Sequence, residues 1–222
     1  MKLERDSIHV IPNGVDIDRF YKFETLTQEL LNKTHLLDAA PILLLPVRIT
    51  PRKNIELALW TLAALKKDFP HAALVVTGPL GPHNANNIKY FEMLTDLRKQ
   101  LGLQGSAHFL AELYDGFLPD EVIADFYRVA DALFFPSREE GFGIPLIEAA
   151  FSHLPAFCAD IPPLRKLGSS DAQFISPDED PALVANLLAD YFKTSLPARF
   201  AMRARASFRW EAIYRQHIAP LL

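Results

Sequence analysis

The chain has 222 residues, 50% of them hydrophobic and 23% charged. This composition can bury a core, and it excludes disordered, collagen-like and low-complexity proteins. Lysine and arginine number 23 against 27 aspartate and glutamate, a net charge of −4 with no long run of one sign, which argues against generic nucleic-acid binding.

Short, continuously apolar runs alternate with longer amphipathic ones. In chain order the pattern predicts a strand at His9 to Ile11, a helix from Leu26 to Leu37 and a strand from Ile42 to Val47. A helix from Ile55 to Asp68 follows, then a strand from Ala73 to Thr77 and a helix from Asn87 to Leu101. Next come a strand from Ala107 to Leu110, a helix from Glu121 to Val129 and a strand from Ala132 to Phe135. A helix from Pro145 to Ser152 leads to strands at Ala156 to Ala159 and Phe174 to Ile175, then helices from Pro181 to Phe192 and Ala198 to His217. Asn54 reads as a side-chain N-cap, Pro145 suits a first helical turn, and Gly102 stands where a left-handed residue would end a helix. Apolar strands in βα alternation predict an α/β, Rossmann-like parallel sheet of about six strands, covered by helices on both faces.

The single cysteine, Cys158, lies in an apolar strand and reads as a buried core thiol, consistent with a reducing cytoplasm. The sequence shows neither a secretory leader nor eighteen uncharged apolar residues in a row, so no transmembrane segment is expected.

In such sheets ligands bind beyond the carboxyl ends of the strands. The loop after Val47 carries Arg48, Arg52 and Lys53, and the loop after Thr77 carries Gly78, Gly81 and His83. Leu110 opens the third loop, and the fourth runs Pro136-Ser-Arg-Glu-Glu140-Gly-Phe-Gly143 into the helix that holds Glu148. Two cations without a carboxylate cluster suit a diphosphate, although Arg48 and Lys53 also read as an exposed basic turn. Gly141 and Gly143 allow close backbone approach, and the following helix start offers free amides to a phosphate. Carboxylates at Glu140 and Glu148 suit the hydroxyls of a sugar or ribose, or simply face water. The glycines after Thr77 form neither a dinucleotide fingerprint nor a Walker loop. Seven histidines show no zinc spacing, and Ser137 lacks the setting of a hydrolase nucleophile.

Together these residues resemble the carboxyl-terminal, donor-binding half of the group 1 (family 4) GT-B glycosyltransferases. The resemblance begins at Val10-Ile-Pro-Asn-Gly-Val-Asp16 and Phe20 and continues through Arg48, Lys53 and Leu74-Val-Val-Thr-Gly78. It is densest at Asp131-Ala-Leu-Phe-Phe-Pro-Ser137 and at Glu140-Gly-Phe-Gly-Ile-Pro-Leu-Ile-Glu148, two glutamates with seven residues between them. The resemblance implies that Arg48 and Lys53 bind the donor diphosphate, Glu148 the ribose hydroxyls and Glu140 the transferred sugar. It further implies that Gly78 and the backbone of Gly141, Phe142, Gly143 and Ile144 meet the donor, with the loop after Leu110 against the nucleobase. Hexose transfer with retention, no cofactor and no metal follows from the same likeness.

The chain departs from the family pattern at Val47, Asn54 and His153, where glycine is usual, and at Lys166, where an acid is common. The expected organisation is one nucleotide-sugar-binding domain over residues 1–222. Residues 1–24 form an entry linker from an absent N-terminal acceptor domain, and residues 197–222 form a C-terminal helix. Donor binding without transfer is the expectation for this chain alone, with peripheral membrane contact open for a full-length protein. A GT-B phosphorylase or epimerase and a non-catalytic nucleotide or polysaccharide binding module remain as alternatives. A nicotinamide oxidoreductase is more distant, for want of the dinucleotide fingerprint.

Overall fold

The computed structural model describes residues 9–80 and 85–222. Six parallel strands form one sheet: β1 (Ile42–Leu45), β2 (Ala73–Val76), β3 (Ala107–Phe109), β4 (Ala132–Phe135), β5 (Ala156–Ala159) and β6 (Gln173–Ile175). Their spatial order is β3-β2-β1-β4-β5-β6. Ile42 lies beside Ala73, Leu43 beside Ala132, and Leu133 beside Ala156. Every residue of β1, β2, β4 and β5 is buried, because helices cover both faces.

Ten helices accompany the strands among the described residues: α1 (Ile17–Tyr21), α2 (Thr25–Thr34), α3 (Ile55–Leu65), α4 (Ala85–Gln100), α5 (Asp120–Val129), α6 (Ile144–Phe151), α7 (Pro162–Gly168), α8 (Pro181–Thr194), α9 (Leu196–Ser207) and α10 (Trp210–Ile213). α3 packs on α4 and α8, whereas α5 packs on α2 and α6 on α7. Right-handed crossovers put these groups on opposite faces, since the chain steps one way from β1 to β3 and the other way from β4 to β6. The direction reverses between β1 and β4, and their carboxyl-terminal loops flank the resulting crevice.

The sequence reading differs from the structure mainly at the two ends. His9 to Ile11 form no strand; instead Val15 makes a single bridge to Arg209, and its amide donates to the Phe208 carbonyl at 2.7 Å. That contact interrupts the helix expected from Ala198 to His217: α9 stops at Ser207, Arg209 is extended, and α10 is followed by a wider turn over Tyr214–Ile218. Gly14 makes the approach feasible, because a Cβ there would lie 2.7 Å from the Trp210 ring. α1 and α7 were not anticipated; Pro162 and Pro163 occupy the first turn of α7, where proline is tolerated. Gly102 is left-handed as anticipated, at φ 67°.

Arg205 anchors α9 to the sheet. Its guanidinium bonds both oxygens of Asp131 and the carbonyls of Val129 and Ala39, while Asp131 also accepts from the Ile42 amide at 2.7 Å. Both partners are buried, so every polar group of this pair needs the bond it makes.

Candidate functional site

The loop leaving β1 first turns at Pro46 and Val47. Val47 is buried, and its carbonyl oxygen passes 2.1 Å from the place a Cβ would take on Gly78. The β1 and β2 loops therefore run in contact, joined further by the Ile49 amide donating to the Pro79 carbonyl at 3.0 Å. Any side chain at position 78 would force them apart. Gly81 and His83 lie outside the described residues.

A 3₁₀ turn over Pro51–Lys53 follows, and Asn54 closes it in the left-handed region at φ 55°. Asn54 is not the side-chain N-cap read from the sequence. Its amide instead donates to the carbonyls of Pro136 at 3.1 Å and Pro177 at 2.8 Å, tying the β1 loop to those after β4 and β6. The Tyr90 hydroxyl takes over the capping, accepting from the Ile55 amide at 3.1 Å. Asn54 and His153, the two positions after the β1 loop and α6 where glycine is usual in the resembled family, both have φ near that of a left-handed glycine, 55° and 54°. The backbone path is thus kept without the glycine.

Lys53 and Glu140 meet across the crevice, Nζ to Oε1 at 2.5 Å, with side chains only 9% and 8% exposed. The Arg138 amide donates to the Arg52 carbonyl at 2.8 Å and holds their two loops side by side. Lys53 also lies 5.5 Å from the centre of the Phe135 ring. Arg48 is placed differently: it is exposed, with its guanidinium over the Phe117 ring at 4.8 Å. The two cations therefore hold separate partners, one anionic and one aromatic.

Gly143 caps α6 at φ 102°, a conformation that demands glycine, and a Cβ there would also displace the end of the Leu164 side chain, 2.4 Å away. Gly141 has open space around it, and Phe142 and Ile144 are each 59% exposed. One turn into α6, Glu148 is half-buried and accepts from the Tyr127 hydroxyl at 2.6 Å. Burial, then the Glu148 carboxylate, pushes the Tyr127 pKa up, so this hydroxyl stays a donor.

A cleft of ≈ 280 Å³ brings together Arg48, Thr77, Gly78, Phe117, Ile144 and Glu148. Lys53, Glu140 and Gly141 to Gly143 do not line it, and the Leu110 side chain is buried in the core, leaving its loop to present Phe117. The Thr77 and Ser137 hydroxyls, following β2 and β4, are buried without a hydrogen-bond partner among the described residues. Orphaned buried polar atoms are uncommon in folded proteins, and the Thr77 side chain lines the cleft. The sequence reading names neither Tyr127 nor Phe117, and it takes Thr77 only as a strand end. The one available signal was that a tyrosine on the apolar face of α5 must find a partner for its hydroxyl.

A larger cavity, ≈ 520 Å³, lies at the other end of the sheet beside Asp38, Arg209, Trp210 and Tyr214. Asp38 precedes β1, so this cavity sits at the amino ends of the strands, away from the crevice where open α/β sheets bind ligands. Cys158 is buried and its pKa is pushed up to about 12 by burial, an inert thiol. Among the described residues no group of three or more His, Cys, Asp and Glu is arranged to hold a metal ion, and no helix is long and apolar enough to cross a membrane.

Comparison with known proteins places this geometry. The family model described as glycosyl transferases group 1 matches residues 27–207. A mannosylfructose-phosphate synthase of Agrobacterium fabrum is 28% identical over 225 residues, 98% of this chain and 48% of that protein. A D-inositol 3-phosphate glycosyltransferase of Streptomyces scabiei is 29% identical over 212 residues, 93% of this chain and 46% of the relative. The chain thus spans about half the length of the curated relatives it matches. In fold it is similar to a sucrose-phosphate synthase from Thermosynechococcus elongatus, at TM-score 0.61 and 25% identity over 93% of this chain and 50% of that one. It is also similar to the Anabaena Alr3699/HepE protein in complex with UDP and glucose, at TM-score 0.65 and 22% identity over 96% of this chain and 56% of the other.

Proposed function

The chain belongs to the group 1 glycosyl transferases, and from that premise we propose that it is the donor-binding half of a hexosyltransferase, taking a nucleoside diphosphate sugar at the β1/β4 crevice. The observation that carries the reading is the meeting, in one cleft, of the Arg48 cation, the Glu148 carboxylate and the start of α6. Arg48 and Lys53 take the diphosphate, and the Phe142 to Ile144 amides at the helix start share its charge. Glu148 accepts the ribose hydroxyls, with one oxygen already oriented by Tyr127. Glu140 holds hydroxyls of the transferred sugar, Gly78 lets the β2 loop lie close, and the loop after Leu110 faces the base. The word mannosyl in one relative's name favours a hexose.

In the proposed reaction the bond between the anomeric carbon and the diphosphate oxygen breaks, and its electron pair leaves with the diphosphate. The acceptor hydroxyl oxygen bonds the anomeric carbon and gives its proton to the departing diphosphate oxygen. Arg48, Lys53 and the helix amides stabilise the charge on the leaving group without a metal, and the configuration is retained. The acceptor belongs to a second half, which the doubled length of the relatives supports. This chain alone therefore binds donor and transfers little, acting in the cytoplasm.

Calorimetric titration with UDP, GDP and ADP and their glucose and mannose conjugates, without metal, tests this. One base series binds saturably, and Arg48→Ala combined with Lys53→Ala abolishes the binding while the chain stays folded by circular dichroism. A folded wild-type chain that binds none of them contradicts the proposal.

A further inference from the structure

Lys53 and Arg48 differ in one respect that bears on turnover. Arg48 is exposed and rests on a neutral ring, whereas Lys53 is enclosed and already in contact with a carboxylate, Glu140, at 2.5 Å. The contact is built into the backbone, because the Arg138 amide to Arg52 carbonyl bond and the Asn54 amide fix the two loops against each other. With both side chains under a tenth exposed, water does little to screen the pair, and anything anionic that approaches Lys53 must compete with it.

We infer that Glu140 is a built-in stand-in for the donor diphosphate: it neutralises Lys53 when no donor is bound, and its return to Lys53 after transfer expels the nucleoside diphosphate. The inference rests on the donor-site reading above. A diphosphate that takes Lys53 leaves Glu140 as an enclosed carboxylate in need of donors. A nucleoside diphosphate sugar supplies them through its sugar hydroxyls, so one ion pair is exchanged for two satisfied groups. The product nucleotide has lost its sugar and supplies none, so re-forming the Lys53 and Glu140 pair favours its release. The pair thereby tilts affinity toward donor and against product, as a differential interaction with the two ligands must.

The test is calorimetry on the folded chain with the nucleoside diphosphate of the series that binds, its sugar conjugate and its monophosphate. Glutamine at position 140 keeps the shape and an acceptor for Lys53 while removing the charge. Glu140→Gln is expected to bind the free diphosphate roughly tenfold more tightly, given the usual strength of a hydrogen bond to a charged group. The monophosphate should bind within about twofold of wild type, since no second phosphate reaches Lys53, and the sugar conjugate should gain nothing. In a Lys53→Met background the same substitution should give no gain for the diphosphate. Unchanged or weaker diphosphate binding by Glu140→Gln overturns the inference, and so does a gain that persists in Lys53→Met, which would show charge repulsion without the ion pair. A wild-type chain that binds no diphosphate overturns the donor-site reading itself and the inference with it.

Discussion

Tyr127 and Glu148 form a two-residue device that neither could supply alone. Tyr127 is buried in α5 and donates to one carboxylate oxygen of Glu148 at 2.6 Å, holding a side chain that lines the cleft. Tyr127→Phe keeps the packing and removes only the hydroxyl. Nucleoside diphosphate affinity should fall about three- to tenfold, the net worth of one typical hydrogen bond, while inorganic pyrophosphate binding, which involves no ribose, should not change. Equal losses for both ligands would show that the bond is structural only. Glu140, Arg48 and Lys53 could be picked out from the sequence because charged residues in loops after apolar strands stand out locally, and Glu148 because it follows the same loop into α6. Their partners could not, since Tyr127 and Phe117 lie in other elements and meet the site only through the fold. Nor could the pairing of Lys53 with Glu140, which spans 87 positions of sequence.

At the scale of elements, the strands of the sheet interior could be read because burial on both faces leaves continuous apolar runs. The terminal elements could not. The periodicity from Ala198 to His217 is helical throughout, and what breaks it is a remote segment, Gly14 and Val15, pairing with Phe208 to Trp210. Edge strand β3 carries a titration of its own. Burial, then the Arg98 charge, pushes the His108 imidazole down to about 4 from 6.5, with His35 adding to this and Glu112 opposing it. Between those two pH values the unfolded chain binds a proton that the folded chain refuses, so stability falls as pH drops from 6.5 toward 4. Melting temperatures measured across that window should decline, and His108→Gln should flatten the decline. An identical slope in the variant would place the acid sensitivity elsewhere.

For the molecule as a whole, the sheet separates two ends of different chemistry. At the amino ends of the strands, Arg205, Asp131, Arg209 and Asp38 bind the C-terminal helices to the sheet, and the ≈ 520 Å³ cavity opens beside Asp38 and Arg209. At the carboxyl ends, Arg48 after β1, Gly78 after β2 and Glu148 in α6 converge around a smaller cleft of ≈ 280 Å³. Cavity size alone would choose the first end; the topology and the chemistry choose the second. The crystallographic position of the nucleoside diphosphate that binds this chain decides between them most directly. The account predicts its phosphates among Arg48, Lys53 and the amides at the start of α6, with the ribose on Glu148. A nucleotide found instead in the cavity beside Trp210 and Tyr214 would contradict it.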